Sequence, residues 1–153
     1  MTRLSSCLAL VLIAPTLVAC GASRGGLSAD TSSYGSPTSE AAVRAFLAAA
    51  DRQDYEEMGR QFGTAAGPAE ARLGIAEVEQ RMVVLAEVLQ HGSMEMERSD
   101  LAQLGSDRAR YVVRMTGTRN GEVDVPVVTA VTDEGRWFVE RLDVEALSGP
   151  GGS

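Results

Sequence analysis

The sequence of 153 residues contains no lysine, a single histidine and only two cysteines. All 14 basic residues are arginines, and 21 acidic residues outnumber them, so the net charge is −7. A chain of this charge lacks the clustered positive charge that nucleic acids require, and we expect no nucleic-acid partner. One histidine, and acidic residues without calcium-loop spacing, also predict no metal site. No glycine-rich phosphate loop ends in the Gly-Lys-Ser/Thr pattern, and we expect no cofactor.

Long apolar runs are also missing, apart from residues 8–18 near the N-terminus. This run is too short for a comfortable membrane span and follows one positive residue, Arg3, as in a signal peptide. It ends in Leu17-Val18-Ala19-Cys20, which resembles the lipobox of bacterial lipoproteins. The resemblance implies cleavage after residues 1–19, diacylglycerol on the Cys20 thiol and a further acyl chain on its amine. The alternative is a conventional signal peptide with a cysteine at its cleavage site.

Lipid on Cys20 would hold the protein at a membrane without a transmembrane helix, because two or more acyl chains anchor a protein stably. The other cysteine, Cys7, lies in the predicted signal peptide, so we expect no disulfide in the mature protein. Gly21 follows where an aspartate would resemble an inner-membrane retention signal. We therefore expect an outer-membrane protein in a diderm host, and otherwise a protein on the outer face of the cell membrane.

Composition divides the rest of the chain into a linker, one domain and a tail. Residues 20–36 are rich in glycine and serine and predict a flexible linker after the lipidated cysteine. Residues 148–153 predict a disordered tail for the same reason. The chain is 44% hydrophobic and 23% charged, which is typical of globular proteins, so residues 37–147 predict a single folded domain.

Helical periodicity dominates the first half of this domain. Ser36 and Pro37 suit the start of a first helix. Three apolar stripes follow at helical spacing, formed by Val43, Phe46, Leu47 and Ala50, then by Tyr55, Met58 and Phe62, and finally by Ile75, Val78, Met82, Leu85 and Leu89. Residues 63–68, between the second and third stripes, predict a mobile connection.

The period changes from helical to two after Gly92, which indicates strands. Asn120-Gly121 favours a two-residue hairpin. In the resulting register Thr118 pairs with Val123, Thr116 with Val125, Arg114 with Val127, and Val112 with Thr129. The sequence therefore predicts an α+β fold in which N-terminal helices pack on a curved antiparallel sheet.

The same register predicts two different sheet faces. One carries Tyr111, Val113 and Met115, joined by Val128 and Ala130, and should lie beneath the helices. The other collects the valines of the second strand together with Arg114, and is too apolar for a purely solvated surface. We expect that valine-arginine face to contact a second copy of the chain or another envelope protein. Pro126 hints at a bulge that would change which valines point outward.

A family resemblance covers most of the domain. It rests on residues 42–47, Asp54-Tyr55 and Phe62, and on Gly135-Arg136-Trp137-Phe138-Val139. These positions are similar to the nuclear transport factor 2-like superfamily, which includes the SnoaL-like and ketosteroid isomerase-like proteins. The resemblance implies a cystatin-like cone in which helices cover a curved sheet around a pocket. That superfamily contains enzymes, ligand binders and accessory domains, so the fold does not decide the function.

Enzymes of the superfamily use Asp, Tyr or His inside the cone, and three residues are candidates for such a pocket. Tyr111 lies on an apolar strand face, where core packing is the alternative. Glu140 is either a pocket acid or a surface residue beside an arginine, the latter if Trp137 and Val139 form the buried face. His91 is expected to satisfy the end of a helix.

Because no second catalytic partner accompanies these residues, the sequence favours a noncatalytic, membrane-anchored lipoprotein that binds a protein partner or a small apolar ligand. The alternative is a small, cofactor-independent enzyme of the isomerase or dehydratase kind that uses a pocket in the cone.

Overall fold

Residues 34–99 and 104–148 are described in the computed structural model. The helices of this part are α1 (Ser39–Asp51), α2 (Tyr55–Gln61), α3 (Glu70–Leu73), α4 (Ile75–Val88) and α5 (Glu145–Ser148). The strands are β1 (Gly63–Thr64), β2 (Gly67–Pro68), β3 (Ser93–Arg98), β4 (Arg108–Thr118), β5 (Gly121–Val131) and β6 (Trp137–Leu142). The predicted signal peptide of residues 1–19, the lipobox cysteine Cys20, the linker up to residue 33 and the tail from residue 149 lie outside the described residues.

The strands form a four-stranded antiparallel sheet in the order β3-β4-β5-β6 and a small ladder between β1 and β2. One hydrophobic core joins α1, α2 and α4 to one face of the larger sheet, which we call the core face. The opposite side is called the outer face below. The α+β prediction, with N-terminal helices on an antiparallel sheet, is confirmed. Within residues 34–99 and 104–148, every helix is too short or too polar to cross a bilayer.

The first helix begins later than the sequence predicted. Thr38 is its N-cap and accepts a hydrogen bond from the backbone N–H of Ala41, at 3.1 Å. Ser36, the predicted cap, instead exchanges backbone hydrogen bonds with Trp137 at the edge of β6. Its hydroxyl donates to the side-chain oxygen of Gln61. Residues 34–36 are therefore attached to the domain, although the linker was predicted to extend to residue 36.

The predicted apolar stripes account for most of the helical core. Val43, Phe46, Leu47 and Ala50 of α1 are all buried, as is Met58 of α2. In α4 the buried stripe is Val78, Met82 and Ala86, and it continues to the C-cap residue Leu89. Ile75 was predicted to join this stripe, but it is 67% exposed because it is the first residue of α4, at the margin of the core.

The segment of residues 63–68 was predicted to be a mobile connection and is instead a short hairpin. Gly63 pairs with Pro68, and Thr64 pairs with Gly67. The hairpin lies against the Phe138 ring, which is on the outer face and 2% exposed. Phe62, just before the hairpin, bridges to Val139 of β6. The periodicity of the sequence could not reveal this hairpin, since each of its strands has only two residues.

The predicted register between β4 and β5 is wrong by three residues. Val125 pairs with Val113 and not with Thr116, and Val123 pairs with Met115. A shift by an odd number of residues moves one strand's side chains to the other face relative to its neighbour. Val125 and Val127 therefore join Tyr111 and Val113 on the core face, where both valines are fully buried.

The position of the turn and a bulge at Gly117 together explain this difference, the turn accounting for two of the three residues and the bulge for one. The turn consists of Arg119 and Asn120, because Thr118 pairs directly with Gly121. Gly117 has a φ of +71°, and the register shifts between Met115 and Thr118. A glycine in the left-handed region commonly forms such a bulge, which inserts an extra residue into one strand.

The valine-arginine face predicted from the sequence does not exist in that form. Its valines belong to the core, while its Arg114 remains on the outer face, paired with Asp124 of β5. Val128 and Ala130, predicted to lie beneath the helices, are instead on the outer face. The bulge expected at Pro126 is not there, because Pro126 pairs with Val112 in regular register; the pairing of β5 with β6 shifts instead between Val128 and Thr129.

Candidate functional site

Tyr111 is a core residue on β4. It is 4% exposed, and its hydroxyl lies 2.7 Å from the hydroxyl of Ser39 in the first turn of α1. A buried phenol needs such a partner, because an unpaired polar group in a core costs free energy. Each hydroxyl satisfies the other, so this pair fixes α1 against the sheet.

Replacing Ser39 with alanine should destabilise the domain by about 1–3 kcal/mol, because the Tyr111 hydroxyl would lose its partner while staying buried. The double variant Ser39→Ala/Tyr111→Phe should lose less stability than the sum of the losses in the two single variants, since neither hydroxyl is then left buried without its partner. Urea unfolding followed by circular dichroism measures both effects.

The matched control for this pair is Ser93→Ala. The Ser93 hydroxyl also lies 2.7 Å from a second hydroxyl, that of Thr116, but this pair is exposed. Water can replace the lost partner there, so we expect a change within about 0.5 kcal/mol. Equal losses in Ser39→Ala and Ser93→Ala would contradict a buried, mutually dependent pair.

Glu140 lies on the outer face, away from Tyr111. Its carboxylate accepts two hydrogen bonds from Arg108, at 2.8 Å from Nε and 3.2 Å from an Nη nitrogen. The bond to Glu140 raises the pKa of Arg108, and the neighbouring Asp107 acts in the same direction. Val139 is fully buried on the core face. Of the two alternatives given for Glu140, its position matches the second, a residue beside an arginine on the face opposite to the buried Val139.

His91 lies just beyond the end of α4. Its Nδ1 is 2.8 Å from the backbone oxygen of Leu89 and 3.2 Å from a carboxylate oxygen of Asp51. The imidazole is 3% exposed. These contacts are those expected of a histidine that binds a free backbone carbonyl at the C-terminal end of a helix. A positive charge at this end of a helix interacts favourably with the helix dipole.

These three candidates do not converge. Tyr111 faces the core, Glu140 lies on the opposite side of the sheet, and His91 is at the end of a helix. Each polar group already has a partner within the protein. Four cavities among the described residues are lined by other side chains.

A different polar site is present on the outer face. Arg110 of β4 and Arg141 of β6 both pair with Val128 of β5, so the three side chains form one row across the sheet. This row lines a groove of about 550 Å³. Its remaining lining residues are Pro126, Leu142, Val144, Asp143 and Glu145.

The arginines of the groove differ from the other arginines of the same face. Arg108 binds Glu140, and Arg114 binds Asp124 at 2.9 and 3.2 Å. The hydrogen bond from Arg114 lowers the pKa of Asp124. Within the described part of the chain, Arg110 and Arg141 make no ion pair, and the buried Nε of Arg110 has no hydrogen-bond partner.

The sequence prediction missed Arg110 and Arg141. One signal was available, because Arg108 and Arg110 alternate with apolar residues along a predicted strand and must share a face. Arg141 could not be added, since its place in the same row depends on the pairing of β5 with β6.

No protein-family model matches the chain, and no curated protein matches it significantly. In the described residues, no three His, Cys, Asp or Glu side chains are grouped as metal ligands would be.

Proposed function

We propose that the chain is an exported bacterial lipoprotein, anchored through lipid on Cys20, whose domain binds a ligand or protein partner in the cell envelope without catalysing a reaction. The lipobox-like sequence Leu17-Val18-Ala19-Cys20 supports the anchor. In a diderm host the protein would be held at the outer membrane, and in a monoderm host at the outer face of the cell membrane. Membership of the nuclear transport factor 2-like superfamily is likewise a proposal, based on residues 42–47 and 135–139.

The separation of Tyr111, Glu140 and His91 carries the noncatalytic part of this proposal. An isomerase or dehydratase of the kind considered above needs positioned acid and base groups that reach one substrate. Here the three groups lie in different parts of the domain and bind Ser39, Arg108 and the Leu89 carbonyl. The groove on the outer face, by contrast, contains the buried Nε of Arg110, which has no hydrogen-bond partner among the described residues, and this favours binding over catalysis.

Replacing Cys20 with alanine should abolish lipid attachment and release the protein from the membrane, because the acyl chains supply the anchor. The measurement is metabolic labelling of the full chain with a palmitate analogue, followed by fractionation of the cells. Cys7→Ala is the matched control, since this cysteine lies in the predicted signal peptide, and both label and membrane retention should persist. Label that stays on the Cys20→Ala protein would contradict the lipobox assignment.

A further inference from the structure

We propose that the groove between Arg110 and Arg141 is a binding site for a carboxylate group that carries an apolar substituent. This inference rests on the proposed binding function and names the chemical class of its ligand. The two arginines are positioned by the sheet itself. Val128 pairs with both of them, and adjacent strands lie about 4.8 Å apart, so their side chains leave the same face about 10 Å apart.

The neighbouring arginines of β4 indicate what Arg110 lacks. Arg108 presents its Nε and one Nη nitrogen to the carboxylate of Glu140, and Arg114 presents the same two nitrogens to the carboxylate of Asp124. Such paired hydrogen bonds are the strongest that a guanidinium makes with a planar oxyanion. Arg110 has the same Nε, buried, but no carboxylate of the described residues reaches it. Since a buried donor without a partner is costly, a carboxylate supplied from outside would complete the pattern.

The acidic residues of the groove favour a carboxylate over a phosphate. Asp143 and Glu145 line the same groove and are both exposed. The Asp143 carboxylate accepts a hydrogen bond from the backbone N–H of Glu145, at 3.3 Å, and makes no ion pair with the groove arginines. The four charged side chains therefore sum to zero, so the groove lacks the excess positive charge that would favour a doubly charged phosphate over a singly charged carboxylate.

The rest of the groove supplies an apolar wall. Pro126, Val128, Leu142 and Val144 lie beside the arginines. A groove of about 550 Å³ is large enough for a small molecule or the end of a peptide. Val128 is already almost fully buried, whereas Pro126, Leu142 and Val144 are partly exposed, and an apolar substituent next to the carboxylate would cover their exposed parts and gain free energy from leaving water. The ligand class is thus an amphiphilic carboxylic acid, such as an acylated amino acid with an aliphatic side chain.

The test is a calorimetric titration of the full chain in nonionic detergent with N-acetyl-leucine. The matched probe N-acetyl-leucinamide has the same apolar part but no carboxylate, and inorganic phosphate is the third probe. We expect saturable binding of the acid, binding of the amide that is weaker by about tenfold or more, and no tighter binding of phosphate. Equal binding of acid and amide, absence of saturable binding of the acid, or tighter binding of phosphate would overturn the proposal.

Variants of the groove then assign the site. Arg110→Gln and Arg141→Gln should each weaken binding of N-acetyl-leucine by about tenfold, because each removes a charged donor. Arg110→Lys should bind N-acetyl-leucine about as weakly as Arg110→Gln, since an ammonium group lacks the planar pair of donors. Arg44→Gln, which breaks only the exposed pair with Glu40 on α1, is the control and should bind normally.

Unchanged binding in both groove variants would place the ligand elsewhere and overturn the assignment. Circular dichroism shows whether Arg110→Gln folds. If it does not, the proposal is still tested by Arg141→Gln and by the comparison of acid with amide on the unmodified chain. Palmitate labelling at Cys20 is independent of the groove. Absence of acid binding by the unmodified chain with labelling intact would therefore refute the ligand and leave the anchor standing.

Discussion

Replacing Val125 with glutamate is expected to unfold the domain. Val125 has no exposed surface and packs in the core beside Val113, its partner on β4. A carboxylate in that position would be either charged and unpaired or protonated at a high cost, and both raise the free energy of the folded state. We expect a loss of at least about 4 kcal/mol, which is comparable to the whole stability of a small domain. Urea unfolding of the full chain, followed by far-UV circular dichroism, measures this loss.

Val84→Glu is the matched control for this substitution. Val84 lies on α4 and is 62% exposed, so the same change of side chain leaves the new carboxylate in water. We expect a change within about 0.5 kcal/mol. If the two variants unfold at the same urea concentration, Val125 is on the solvent side, as the register predicted from Asn120-Gly121 would place it.

The register illustrates what the sequence alone could and could not decide. Alternation within β4 correctly assigned Tyr111, Val113 and Met115 to one face, because a strand's side chains alternate whatever its neighbour does. The relation between β4 and β5 depends on the turn, and both Gly117 and Gly121 have positive φ values that a turn or bulge could use. The preference for Asn-Gly placed the turn at residues 120–121, one residue beyond its actual position, and could not reveal the bulge at Gly117.

The candidate site shows a similar division. The sequence offered a position beside an arginine as one alternative for Glu140, but it could not identify Arg108, which is 32 residues away along the chain. The groove depends on a comparably distant pair, since Arg110 and Arg141 are brought into one row only by their shared partner Val128. Local patterns determine which face of a strand a residue occupies. Pairing between strands determines which residues meet there.

Replacing Gly63 with alanine should destabilise the domain by about 3 kcal/mol, although the change adds only one methyl group. The added Cβ would lie 2.5 Å from the backbone oxygen of Gly67 in β2 and 2.8 Å from the nearest atom of the Phe138 ring. The first contact is with backbone that is itself held in the ladder between β1 and β2, so it cannot be relieved by rotating a side chain. The urea midpoint of the full chain measures the loss.

Gly92→Ala separates this steric effect from the general effect of replacing a glycine. At Gly92 the nearest atoms to an added Cβ are the Thr116 oxygen at 3.5 Å and the Gly117 Cα at 3.7 Å, which are ordinary contacts. The substitution should leave stability unchanged or raise it by up to about 1 kcal/mol, because alanine restricts the unfolded chain. A mobile connection at residues 63–68, as the sequence predicted, would tolerate Gly63→Ala equally well. Matching urea midpoints for the two variants would therefore contradict the packing of the β1-β2 hairpin against Phe138.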